Sequence, residues 1–183
     1  IYPRPALGIN DPFRNKRNAE VKNHKKETLP CKFIYTDGEN FGTNIMKSFR
    51  LGILGAGKIA CSMAETVKKL NASGNLEVIL TAVGSRDQKK AERFIKDNEL
   101  QDCIPFGSYE ALVCSDEVDG IYVATPHNFH KEHALLSIKH GKHVLVEKSF
   151  TANLKDAEEI IKAAIDHKVV VSEAIWTRYQ PLR

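Results

Sequence analysis

The sequence holds no apolar run near the roughly 18 residues that a membrane-crossing helix needs. Its first residues also lack the continuous apolar core of a secretory signal, so neither a membrane partner nor an export route is expected. There is no C-x-x-C pair: Cys31, Cys61, Cys103 and Cys114 stand apart, with no histidine beside them at zinc-ligand spacing. Four scattered cysteines among 183 residues read as reduced thiols in a cytoplasmic setting, not as a disulfide framework. Excess charge is scarce as well. Residues 1–45 carry eight Lys/Arg against five Asp/Glu, and residues 46–183 carry nineteen against eighteen, so the larger part is close to neutral. A nucleic-acid partner is not expected, because binding would need a basic face interleaved with aromatic platforms. What remains is a composition of 42% hydrophobic and 27% charged residues, ordinary for a globular domain long enough to build one core.

Residues 1–45 show neither helical nor strand periodicity. Pro3, Pro5, Pro12 and Pro30 punctuate them, and Asn10-Asp11-Pro12 and Asp37-Gly38 are turn signals. Such a stretch buries too little apolar surface to offset its ordering entropy. It is expected to be a disordered leader or translated upstream sequence, with Met46 as the natural start. A transit peptide is the competing reading, but the stretch is not acid-poor and contains no evident amphipathic helix.

From Phe49 onward, apolar strands alternate with amphipathic helices. Strands are expected at Phe49–Leu54, Leu76–Val83, Pro105–Phe106, Gly120–Ala124, His143–Glu147 and Val169–Ser172. Helices are expected at Lys58–Leu70, from the cap Asp87 to about Asp97, from the cap Ser108 to Cys114, at His130–His140 with Gly141 closing it, and at Leu154–His167 behind the cap Asn153. Each strand reads as a nearly continuous apolar run, the mark of a parallel sheet covered on both faces. The expected fold is a doubly wound α/β domain over residues 46–172.

Between the first strand and first helix lies Gly55-Ala56-Gly57-Lys58-Ile59-Ala60, a G-x-G-x-x-A pattern. Gly55 allows the tight turn, Gly57 lets a pyrophosphate approach the backbone, and Ala60 keeps the helix close to the sheet. The helix start, including Lys58 and Ile59, offers free N–H groups to phosphate. Dinucleotide binding follows from this placement more than from the glycines. An NAD site usually ends its second strand with an acidic residue on the ribose 2′-hydroxyl. Here the chain reads Gly84-Ser85-Arg86-Asp87. Ser85 and Arg86 can hold a 2′-phosphate, so NADP is favoured and NAD remains possible. Arg86 as a solvated loop residue and Asp87 as a plain helix cap are the alternative. The Asn71–Asn75 loop accounts for the long spacing to this segment.

Residues 121–150 read IYVATPHNFHKEHALLSIKHGKHVLVEKSF. With the glycine loop, this resembles the Gfo/Idh/MocA oxidoreductase family. Ser172-Glu173-Ala174-Ile175-Trp176-Thr177-Arg178-Tyr179 is similar to its dihydrodiol dehydrogenase and xylose dehydrogenase branch. The resemblance implies a Rossmann-type domain with only the start of a second α/β substrate domain at residues 173–183. It implies that Thr125, Pro126, His127 and His130 line the cofactor near its nicotinamide end. Glu147-Lys148 matches the family's Glu-Lys-Pro signature, in which the lysine is catalytic and reaches the substrate oxygen and nicotinamide ribose. Ser149 stands where that signature has proline. A cis bond before serine costs about 2.5–4 kcal/mol, so a trans bond is expected.

His127, His130 and His133 are spaced three apart, but no carboxylate or cysteine completes a ligand set, and no metal is expected. His133, His140 and His143 read as a helix face, a helix end and a strand entry. The implied activity is hydride transfer between NADP and a CH–OH group of a sugar, diol or cyclic polyol. The chain alone is expected to bind cofactor without turning over substrate, and to form homo-oligomers only with a second domain present. A non-catalytic nucleotide-binding module and a gene-model fragment are the alternatives.

Overall fold

The computed structural model describes residues 48–73 and 78–179. The expected leader, the start at Met46, residues 74–75 of the expected first loop, residues 76–77 of the expected second strand and the last four residues lie outside them. In chain order the elements are β1 (Phe49–Leu54), α1 (Lys58–Ala72), β2 (Val78–Gly84), α2 (Gln88–Asp97), β3 (Ile104–Phe106), α3 (Tyr109–Val113) and β4 (Gly120–Val123). A 3₁₀ turn (His127–Phe129) leads into α4 (His130–Lys139), followed by β5 (His143–Glu147), α5 (Leu154–Asp166), β6 (Val171–Ala174) and a second 3₁₀ turn (Trp176–Tyr179). The strands form one sheet in the order β3-β2-β1-β4-β5-β6. Every neighbouring pair is parallel. This is the doubly wound arrangement expected from the alternating pattern.

Strand alternation splits the core into two layers. Ile121 and Val123 of β4 face a cluster with Leu112, Ala134, Ile138, Ile160 and Ala164, on the side of α3, α4 and α5. Leu51 and Ile53 of β1 and Tyr122 and Ala124 turn the other way, toward Ala60, Ala64, Val67, Ala91 and Phe94 of α1 and α2. The residues of the central strands β1, β2 and β4 are mostly buried, as covering on both faces requires, while the edge strands β3 and β6 are more open. At the amino edge, Arg50 grips Asp119 with Nη2–Oδ1 at 2.7 Å and Nε–Oδ2 at 3.1 Å, fixing β1 beside the entry to β4.

Three helix starts carry the expected side-chain caps: Asp87 accepts from Lys89 N–H, Ser108 from Ala111 N–H and Asn153 from Asp156 N–H. Gly141, at φ +70°, closes α4 as anticipated. Two elements differ from expectation by more than one residue. Asn71 is helical and not part of a loop, and its side chain bonds both main-chain groups of Val78, joining α1 to the start of β2. The last strand begins at 171 instead of 169. Lys168 takes the left-handed conformation (φ +56°) and Val169 N–H returns to Ala164 C=O at 3.0 Å, so the helix cap uses both residues first. The strand therefore includes Glu173 and Ala174, which the sequence assigned to the next unit.

Candidate functional site

Chain progression reverses between β1 and β4, and open parallel sheets bind ligands at such a point, beyond the carboxyl ends of the strands. The phosphate loop lies there. Gly55 has φ +110°, a conformation that side chains strain. A Cβ on it would lie 3.0 Å from both Ala124 O and Thr125 Cγ2, so the exits of β1 and β4 touch at this glycine. Gly57 differs in kind. Its backbone is extended (φ −109°, ψ −177°), and a Cβ there would meet no atom of the described residues within 4 Å. None of the described residues requires glycine at 57, and the space over its backbone is open to a ligand. Helix α1 also starts with no side-chain cap and no acidic residue in its first turn. Its N–H groups are left for another acceptor. Lys58 and Ile59 are exposed beside them, while Ala60 is fully buried under the sheet.

Gly55 N–H bonds Gly84 C=O at 2.9 Å, which brings the exit of β2 alongside. Ser85 is 5% exposed, and its Oγ accepts from Asp87 N–H at 3.4 Å. Asp87 is the cap of α2, while Arg86 is exposed. Arg86 is not a loose loop residue, however. Its guanidinium lies near Tyr109, whose phenol is raised by burial and drawn back by that positive charge. An open groove of about 510 Å³ runs from Gly57 and Lys58 down between α1 and α2, lined also by Asp87, Lys89, Lys90 and Arg93.

On the other side of β1, the exits of β4 and β5 are tied together. Thr125 is buried, and Pro126 and His127 are exposed beyond it. Thr125 Oγ1 lies 2.9 Å from His133 Nδ1. Burial lowers the His133 imidazole below its ordinary value, against Glu132 and Glu110, which raise it. His130 is 0% exposed. Its Nε2 meets Thr125 C=O at 2.9 Å and its Nδ1 meets Ser149 C=O at 2.8 Å. Both ring nitrogens are engaged with main chain, so any part His130 has at the site runs through the loops it joins.

Glu147 ends β5 half-buried. Its Oε1 accepts from the Tyr122 hydroxyl and its Oε2 from Lys148 N–H at 3.1 Å. Burial first, and then this carboxylate, push the Tyr122 phenol far above its usual range. The Lys148–Ser149 bond is cis, not trans as residue type alone suggests. Partners outside the turn set its course: His130 on Ser149 C=O, and Glu173 Oε1 accepting from Phe150 N–H at 2.8 Å. Lys148 itself is exposed, and its ammonium has no partner among the described residues.

The site therefore gathers the Gly55–Ala60 loop, Ser85–Arg86, Thr125–His127 and Glu147–Lys148 along one edge. Three strand spacings, about 14 Å, separate the exits of β2 and β5. Sequence reasoning missed Tyr122, Tyr109 and Glu173. Tyr122 gave a signal, a hydroxyl in an otherwise apolar strand that had to find a partner. The other two gave none, since only folding brings them to Arg86 and Phe150. Among the described residues no three His, Cys, Asp or Glu side chains gather to hold a metal, and no helix is long and apolar enough to cross a membrane. His140 Nδ1 lies 2.9 Å from Leu136 C=O, and His143 Nδ1 accepts from Val170 N–H.

The open cradle at Gly57, the uncapped start of α1 and the ends of β1 and β4 fit a dinucleotide's pyrophosphate. Comparisons with known proteins agree. Residues 49–175 match the model of the Gfo/Idh/MocA oxidoreductase family, NAD-binding Rossmann fold. The chain is 39% identical over 105 residues to the NADP(+)-dependent D-xylose 1-dehydrogenase of Hypocrea jecorina, covering 57% of this chain and 27% of that protein. It is 41% identical over 102 residues to the NADP(+)-dependent scyllo-inositol 2-dehydrogenase of Bacillus subtilis, covering 56% and 30%. To the trans-1,2-dihydrobenzene-1,2-diol dehydrogenase of Danio rerio it is 35% identical over 134 residues, covering 73% and 39%. The matched stretch thus spans 27% to 39% of these relatives' lengths. A 3-ketoreductase from Actinomadura kijaniata, solved in complex with NADP, superposes with a TM-score of 0.66 at 27% identity, covering 74% of this chain and 41% of that one. The chain belongs to the Gfo/Idh/MocA oxidoreductase family, to which it brings an NAD(P)-binding Rossmann-type domain.

Proposed function

We propose that this chain holds NADP(H) in preference to NAD(H) and forms the cofactor half of a dehydrogenase acting on a CH–OH group of a sugar, diol or cyclic polyol. The observation that carries the reading is Lys148. Its main chain is braced and its ammonium has no partner among the described residues, on the same sheet edge as the open cradle at Gly57. The named activities of the relatives, on xylose, scyllo-inositol and a dihydrodiol, support the substrate class.

When bound, the nicotinamide ring supplies the hydride acceptor or donor. The N–H groups opening α1 would hold the pyrophosphate, where the helix dipole favours negative charge. Arg86, beside Tyr109, would pair with the 2′-phosphate, and Lys89 and Lys90 would add positive charge in the adjoining groove. Lys148 would donate from Nζ to the nicotinamide ribose and to the reacting oxygen, and there would stabilise the negative charge that builds as the carbon changes oxidation state. Enclosing that substrate would draw on the further length its relatives possess.

Arg86→Ala tests the cofactor preference by calorimetric titration with NADPH and NADH. A charge-assisted hydrogen bond contributes about 1.5–3 kcal/mol, so NADPH affinity should fall by about one to two decades while NADH is little changed. Equal losses for both cofactors, or tighter NADH binding by the unmutated chain, would reject the NADP reading.

A further inference from the structure

We infer that His130 is the positioning residue for Lys148. It ties the chain leaving β4 to the chain leaving β5 and fixes where the lysine departs from the sheet edge. The inference rests on the role proposed for Lys148 above.

His130 opens α4 and is fully buried, so its ring touches neither solvent nor an incoming ligand. Its two nitrogens lie 2.9 Å from Thr125 C=O and 2.8 Å from Ser149 C=O. Both nitrogens lie at hydrogen-bonding distance of a main-chain carbonyl. The ring thus bridges segments far apart in sequence. Its anchor on the β4 side is itself fixed, because the Thr125 hydroxyl is engaged by His133 Nδ1 at 2.9 Å. His133 is packed edge-on to Tyr109 at 4.7 Å and stacked on Phe129 at 5.8 Å, between ring centroids.

On the β5 side, Ser149 follows Lys148 directly. A lysine stem is flexible, so a protein can set the place of its Cα more readily than that of its ammonium. Three ties on nearby main-chain groups do this: Glu147 on Lys148 N–H, His130 on Ser149 C=O and Glu173 on Phe150 N–H. Tyr122 links Glu147 to β4 within the sheet, whereas His130 links Ser149, beyond the lysine, to Thr125 past the end of β4. The turn that carries the lysine is thereby tied to the segment beside the phosphate loop.

The test is a double-mutant cycle on the 183-residue chain, with NADPH affinity measured by calorimetry for the parent, His130→Leu, Lys148→Ala and the double variant. His130→Leu should weaken NADPH about three- to tenfold, the scale of a hydrogen-bonded contact. It should cost nothing further once Lys148 is alanine. Equal losses in both backgrounds, or a Lys148→Ala variant that binds NADPH like the parent, overturn the inference, since a merely structural role would not depend on Lys148. If the leucine variant does not fold, His130→Gln, which keeps one amide donor group, runs in the same cycle. Nitrogen-15 NMR of the histidine-labelled parent needs no variant. A His130 ring hydrogen that exchanges slowly with solvent is expected, and rapid exchange of every His130 ring hydrogen overturns the tie. A parent that binds no NADPH would sink the cofactor reading, while the NMR result would still decide the tie.

Discussion

Two glycines of the phosphate loop, two residues apart, should fail in opposite ways. At Gly55 the demand is internal: φ is +110°, and a Cβ would press on Ala124 O and Thr125 Cγ2 at 3.0 Å. Gly55→Ala should therefore lose stability. Holding a non-glycine residue in a sparsely populated conformation costs about 1–3 kcal/mol, a fall in Tm on the order of 5–10 °C for a domain of this size. At Gly57 the backbone is extended and the space is open, so Gly57→Asp should fold as well as the parent. Its carboxylate, at the uncapped start of α1, could even stabilise the helix by about 0.3–1 kcal/mol. Binding is another matter. Two like charges in contact near a protein surface repel by about 4 kcal/mol, roughly a thousandfold in affinity. Thermal melts and calorimetric titration with NADPH on the same preparations separate the two effects. The reasoning is refuted if Gly57→Asp folds and binds NADPH as the parent does, or if Gly57→Asp unfolds while Gly55→Ala does not.

Two further outcomes concern the supports of the site. Tyr122→Phe removes the buried donor to Glu147. A hydrogen bond to a charged group contributes about 1.5–3 kcal/mol, and the low end is expected because Glu147 is half-buried and can recruit water; urea denaturation showing a phenylalanine variant as stable as the parent would contradict this. Acid should also destabilise the fold early. Burial lowers His133 below its ordinary value of 6.5, and His143 likewise. The unfolded chain then binds more protons as pH falls through about 6.5, so stability is full above that pH and declines below it. Urea midpoints should show that decline, and His133→Gln should reduce it; a midpoint unchanged across the range would remove the argument.

The fold was legible because its cause is local. Apolar strands such as Phe49–Leu54 and His143–Glu147, helix caps at Asp87, Ser108 and Asn153, and Gly141 are signals written in neighbouring residues, and the structure has each in place. The phosphate loop belongs to the same class, since strand, glycines and helix are contiguous. Arg86 and Lys148 could be picked out as residues at strand ends, but not the company they keep. That Arg86 leans on Tyr109, that Tyr122 holds Glu147 and that His130 joins Thr125 to Ser149 depends on strand order. Placing β4 between β1 and β5 puts segments distant along the chain within hydrogen-bonding reach. The cis course of Lys148–Ser149 has the same origin: residue type predicts trans, whereas partners on α4 and β6 hold the turn as it is. The sequence by itself determined which elements form and at which strand ends the candidate residues fall, because periodicity and capping act within a few residues. Only the tertiary structure decided which side chains stand ready for a ligand and which are tied to the main chain, because that depends on contacts between segments no local pattern encodes.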